Sequence, residues 1–114
     1  MYYIYMVRCA GGSLYTGIAA DLGRRLRQHT ERAPAAAKYT RSRPVEALEA
    51  VWTAPDRASA SRLEYAVKHL PRAKKLELIA APDRLGALLP QLDSQDYTPV
   101  SGLTLEACLR GENP

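Results

Sequence analysis

The chain has 114 residues, 46% of them hydrophobic and 25% charged, with a formal net charge of +4. That length allows one core and not two, and the composition excludes a disordered chain. No apolar run approaches the roughly 18 residues a membrane span needs, the opening MYYIYMVRC has no signal-peptide layout, and the expected location is the cytoplasm.

The elements follow in chain order. Residues 2–9, YYIYMVRC, are rich in Tyr, Ile and Val and read as a buried strand. AGGS is a turn, and LYTGI returns as a second strand, so residues 2–18 form a hairpin. Asp21 caps a helix that runs to about residue 31, and a basic loop closed by Pro44 follows. VEALEAVWT is a third strand, with helix as the alternative that ALEA leaves open. A second helix opens near TAPD, with Thr53 as cap and Asp56 in its first turn, and stops before Pro71. RAKKLELIAA gives a third helix and PDRLGALL a short fourth. The remainder has weak periodicity and reads as an appended tail or loosely docked helix, so a chain lacking 91–114 is expected to keep a folded core. The fold expected is α+β: one domain with a three-stranded antiparallel sheet flanked by helices, the main unit over 1–82 and an acidic extension over 83–114.

The charge is unevenly placed. Residues 1–82 carry fourteen Lys or Arg against seven Asp or Glu, and residues 83–114 carry two against five. Between 24 and 43 stand Arg24, Arg25, Arg27, Arg32, Lys38, Arg41 and Arg43, with Glu31 the single acid. Such a block suits a polyanion, nucleic acid above all, although a merely solvated basic face has the same composition. Tyr39 lies among these cations, as in surfaces that stack an unpaired base while tracking its backbone. Cys9 and Cys108 match no metal-ligand spacing and read as free thiols.

At the helical step of about 100° per residue, Leu22 and Leu26 share a buried stripe. Arg25 and His29 fall on its shoulder, whereas Arg24 and Arg27 point to solvent. A shoulder arginine needs an anion, carboxylate or phosphate. On the second helix Glu64 also falls on a shoulder, and its bland partner is Lys68, four residues on. Tyr5 and Tyr15 read equally well as cross-strand packing.

Taken together these residues resemble the GIY-YIG nuclease family. YIY (Tyr3-Ile4-Tyr5) and YTG (Tyr15-Thr16-Gly17) stand for its two name motifs, with Arg25 ten residues after Tyr15, His29 four later, and Glu64 on the following helix. KYTR and RAKKLELI look most like its small stand-alone bacterial branch, and the resemblance covers residues 2 to 80. Tyr3 replaces the first glycine; Ile18 stands where some members have lysine, and Leu76 where some have asparagine.

The resemblance implies a metal-dependent DNA endonuclease that cuts one strand, with single-stranded or branched DNA expected ahead of intact duplex. Tyr15 is then the general base, Arg25 the phosphate grip, Glu64 the ligand of one Mg²⁺ or Mn²⁺, and Tyr5 and His29 their catalytic neighbours. Gly17 offers close approach to the substrate backbone. Arg24, Arg27, Lys38, Tyr39, Arg41 and Arg43 are the expected DNA contacts. The alternatives are a non-catalytic nucleic-acid-binding module, or an adaptor whose tail docks a protein partner.

Overall fold

The computed structural model describes residues 1–31 and 43–111. Strands β1 (Tyr2–Cys9) and β2 (Leu14–Ala19) form the expected hairpin, closed by Gly11 and Gly12, both with positive φ. Helix α1 (Leu22–Thr30) starts where Asp21 accepts the Arg24 amide at 3.0 Å, as expected. Strand β3 (Val45–Ala54) pairs antiparallel with β1 on the side away from β2.

β3 settles the open choice at ALEA. Its register slips against β1 between Met6 and Val7, so that Met6 faces Ala50 while Val7 faces Leu48. The bulge puts Leu48 and Val51, three residues apart, on one face of the sheet, and Ala50, Trp52 and Ala54 on the other. A bulged strand therefore carries a spacing that imitates a helix.

Helix α2 (Arg57–Lys68) is capped by Asp56, whose carboxylate accepts the Ser59 amide at 2.8 Å. Thr53, the expected cap, lies inside β3. Helices α3 (Arg72–Ala80) and α4 (Leu85–Leu88) follow, and α2, α3 and α4 cover the sheet face formed by Ile4, Met6 and Trp52. Helix α1 covers the opposite face, burying Leu22 and Leu26 against Tyr5 and Val7. No helix among the described residues is long and apolar enough to cross a membrane.

The C-terminal stretch is no loose tail. Strand β4 (Thr98–Pro99) pairs with Trp52 and Thr53, so the sheet has four strands, β2-β1-β3-β4, where three were expected. Tyr97 is buried, and its hydroxyl donates to the Ser59 carbonyl at 2.7 Å. Trp52 donates its indole N–H to the Pro82 carbonyl at 3.0 Å. Helix α5 (Leu105–Leu109) lies beside α1 and buries Leu105 and Cys108 in the same cluster as Leu22 and Leu26. Residue 82 thus marks the end of the motifs and not the edge of the packing. The apolar positions were hard to see because β4 has two residues and α5 five, too short to establish a period.

Removal of 91–114 should therefore unfold the chain or leave it without cooperative melting, as read by circular dichroism and amide NMR dispersion. Leu105→Ala alone should cost about 2–4 kcal/mol in chemical denaturation, the usual range for a buried leucine. A truncated chain with wild-type dispersion would show that the second layer is dispensable.

Candidate active site

β2 is one of the two edge strands, and two layers reach round it. Tyr5 and Tyr15 lie on the face covered by α1, and α2 packs on the other. In the β1–β2 register, Tyr5 stands directly opposite Gly17. A Cβ on Gly17 would sit 2.6 Å from Tyr5 Cζ, an impossible distance. The space above Gly17 is taken by the ring of Tyr5, so the steric reason for this glycine lies inside the chain; the expectation of a surface left bare for a substrate backbone does not describe it.

Laid across Gly17, the Tyr5 ring is fully buried and its hydroxyl lies 2.8 Å from His29 Nε2. His29, expected on the shoulder of the helix stripe, is itself completely buried. Tyr15, half-buried one turn of the hairpin away, presents its ring to His29 edge-on, with centroids 5.6 Å apart, and to Tyr5 at 6.5 Å. Arg25 is half-buried, as expected for a shoulder position, and hydrogen-bonds both Gln28 Oε1 (2.9 Å) and the Tyr5 hydroxyl. Arg24 is exposed, whereas Arg27, expected in solvent, is half-buried.

Burial fixes protonation. Desolvation first, then the nearby Arg25 charge, pushes His29 down to about 4, so at neutral pH it is uncharged. Burial, reinforced by Tyr15, raises the Tyr5 phenol well above the usual tyrosine value, although Arg25 pulls the other way. Tyr5 is accordingly a neutral phenol. Tyr5 and neutral His29 therefore share one hydrogen between the phenol oxygen and Nε2, with the Arg25 guanidinium as a further donor to the phenol oxygen. His29, uncharged at neutral pH, cannot serve as a cation beside Tyr15.

Glu64 comes from the other layer. Its side chain is 24% exposed, and its carboxylate lies 3.4 Å from Lys68 Nζ, the bland partner expected from sequence. It is near enough to Tyr5 to contribute to that phenol's raised value. Lys68 also places its ammonium 5.5 Å from the Tyr15 ring centroid, which joins Glu64, Lys68 and Tyr15 in one group. Beyond its i, i+4 relation to Glu64, Lys68 carries no local signal, because its contact with Tyr15 depends on how α2 docks against β2. Among the described residues no group of three or more His, Cys, Asp or Glu is placed to cage a metal. Arg43 is exposed, at the start of the segment that leads into β3; Lys38, Tyr39 and Arg41 lie outside the described residues.

Comparison with known proteins identifies the family of the chain. The family model of the GIY-YIG catalytic domain matches residues 1–77. The UPF0213 protein XAC3202 of Xanthomonas axonopodis pv. citri is 45% identical over 83 residues, covering 73% of this chain and 79% of its own length. The UPF0213 protein BH0048 of Halalkalibacterium halodurans is 43% identical over 79 residues, 69% of this chain and 82% of its own. The solution NMR structure of BH0048 aligns with a TM-score of 0.46 at 44% identity, over 70% of this chain and 84% of that one. By the extent of the family match and of these relatives, the chain belongs to the GIY-YIG family, whose catalytic domain is of nuclease type.

Proposed function

We propose that the chain is a divalent-metal-dependent endonuclease that hydrolyses DNA phosphodiester bonds one strand at a time, at single-stranded or branched sites. The observation that supports this most is the meeting of Tyr5, Tyr15, Arg25, His29 and Glu64 at the edge of β2, from the hairpin, α1 and α2. Packing alone needs no such concentration of polar groups at one edge.

Each residue has a task in that chemistry. Tyr15, the least enclosed of the aromatic trio, takes the proton of the attacking water. Arg25 grips the scissile phosphate and offsets charge that develops on its oxygens. Tyr5 and His29 form a neutral, buried pair beside the Arg25 head group and bring no charge of their own to it. Glu64 would hold the metal: one half-buried carboxylate fits a hard ion that keeps most of its waters and shares the phosphate. When bound, that ion supplies charge stabilisation and a more acidic water. Lys68 occupies the same carboxylate at 3.4 Å and must yield it or share it.

Cleavage of labelled single-stranded, branched and duplex DNA with Mg²⁺ or Mn²⁺ tests the proposal. Glu64→Ala should lose cleavage and retain DNA binding, and Tyr15→Phe should lose 10²-fold or more in rate with an unchanged circular dichroism spectrum. Arg25→Ala should be as damaging as Tyr15→Phe, and Arg24→Ala should only weaken binding. Near wild-type rates in Glu64→Ala or Tyr15→Phe would remove the proposed chemistry.

His29 also ties stability to pH. Its folded value, about 4, lies below the ordinary 6.5, so between those limits the unfolded chain binds the extra proton. The stability contributed is complete above about pH 6.5 and is lost as pH falls to about 4, by roughly 3 kcal/mol at most. Urea denaturation across that window should show the slope, and His29→Gln should flatten it. A wild-type slope in His29→Gln would assign the pH dependence to other groups.

A further inference from the structure

The C-terminal half of α2 carries a second feature that the catalytic group does not use. Tyr65 is 67% exposed, the most exposed aromatic side chain among the described residues. It is not loose: its ring lies against His69 with centroids 4.1 Å apart and planes 31° from parallel. His69 Nδ1 donates to the Tyr65 carbonyl at 2.8 Å, which holds the imidazole in that stack. The pair walls an open cavity of about 550 Å³ whose floor includes Leu70, Leu88 and Leu92. An exposed, flat aromatic face above apolar side chains suits a flat ligand with a polar rim.

Its position indicates which ligand. About the axis of α2, at about 100° per residue, Lys68 lies about 40° beyond Glu64, Tyr65 about 100° and His69 about 140°. One continuous arc thus leads from the carboxylate, past an ammonium that also faces Tyr15, to the stacked pair. A nucleic-acid strand offers that order of groups: a phosphate at the reacting centre, a backbone beside the cation and a base one step away.

We infer that Tyr65 and His69 form a nucleotide subsite, in which an unpaired base next to the scissile phosphate stacks on the Tyr65 ring while its backbone passes Lys68. The inference rests on the proposed nuclease reading and deepens it. A duplex holds its bases in pairs and cannot supply the face, so this subsite gives the chain its preference for accessible single strands. The same preference was expected from Tyr39; here a described surface carries it.

The test uses the full chain, with a fluorescent single-stranded oligonucleotide, the same sequence as duplex, and the same strand with abasic positions, in EDTA so that nothing is cut. Tyr65→Ala should weaken single-strand binding about 10-fold, the effect of losing one stacked base, and leave duplex binding unchanged. Tyr65→Phe should restore it, since the ring and not the hydroxyl stacks. An abasic strand should no longer distinguish wild type from Tyr65→Ala. With Mg²⁺, Tyr65→Ala should raise KM on single strands and keep kcat.

Equal losses on single strand and duplex would overturn the subsite, as would no loss at all. Sedimentation showing that Tyr65→Ala dissolves a dimer would assign the cavity to a second copy of the chain and also overturn it. The two readings separate cleanly. Base-dependent binding by a chain that cuts no DNA removes the nuclease and keeps the subsite; normal cutting with base-independent binding does the reverse.

Discussion

The candidate site depends on one missing atom group, the side chain that residue 17 lacks. With glycine opposite it in the register, Tyr5 can lie flat across the neighbouring strand and carry its hydroxyl to His29. Any Cβ at residue 17 would lift the ring, uncover His29 and move the acceptor that Arg25 uses. The Tyr5–His29 hydrogen bond, both of whose members are fully buried, would be lost with it. The hairpin register is therefore the constraint from which the placement of α1 and the state of its polar residues follow.

Burial then sorts the polar groups. Tyr5 and His29 are enclosed and neutral, and form a scaffold; Tyr15, Arg25 and Glu64 are half-buried. The scaffold pair cannot transfer charge readily, because desolvation opposes ionisation of both members. A buried neutral pair behind a partly exposed arginine adds no charge of its own beside that arginine. This is the form of support that a phosphate-binding group requires.

Much of this was legible in the sequence, and the failures share a cause. The hairpin, the Asp21 cap and α1 depend on local chemistry, and each forms as expected. The Arg25 shoulder position follows from helix geometry alone. His29 is buried more deeply than its helix position implies, because its surroundings come from Tyr5 across 24 residues and not from its own helix. Arg27 is half-buried although the wheel sends it outward. The end of the chain was misread for the opposite reason: β4 and α5 are too short to show a period, yet they complete both cores through Tyr97, Leu105 and Cys108. Long-range closure leaves little trace in a single local window.

The ion pair of Glu64 and Lys68 shows how magnitude separates scaffold from site. A partly exposed i, i+4 pair contributes about 0.3–0.5 kcal/mol, too little to position a helix. What holds α2 is the burial of Ala60, Leu63 and Val67, together with the Tyr97 hydroxyl on the Ser59 carbonyl. Burying one such leucine or valine contributes about 1.5–3 kcal/mol, several times the ion pair. The side chains at the β2 edge thus ride on a helix whose position does not depend on them. The Glu64–Lys68 pair can open with little effect on the fold. A weak pair on a firmly packed helix is the arrangement that lets chemistry change at the edge while the sheet behind it stays fixed.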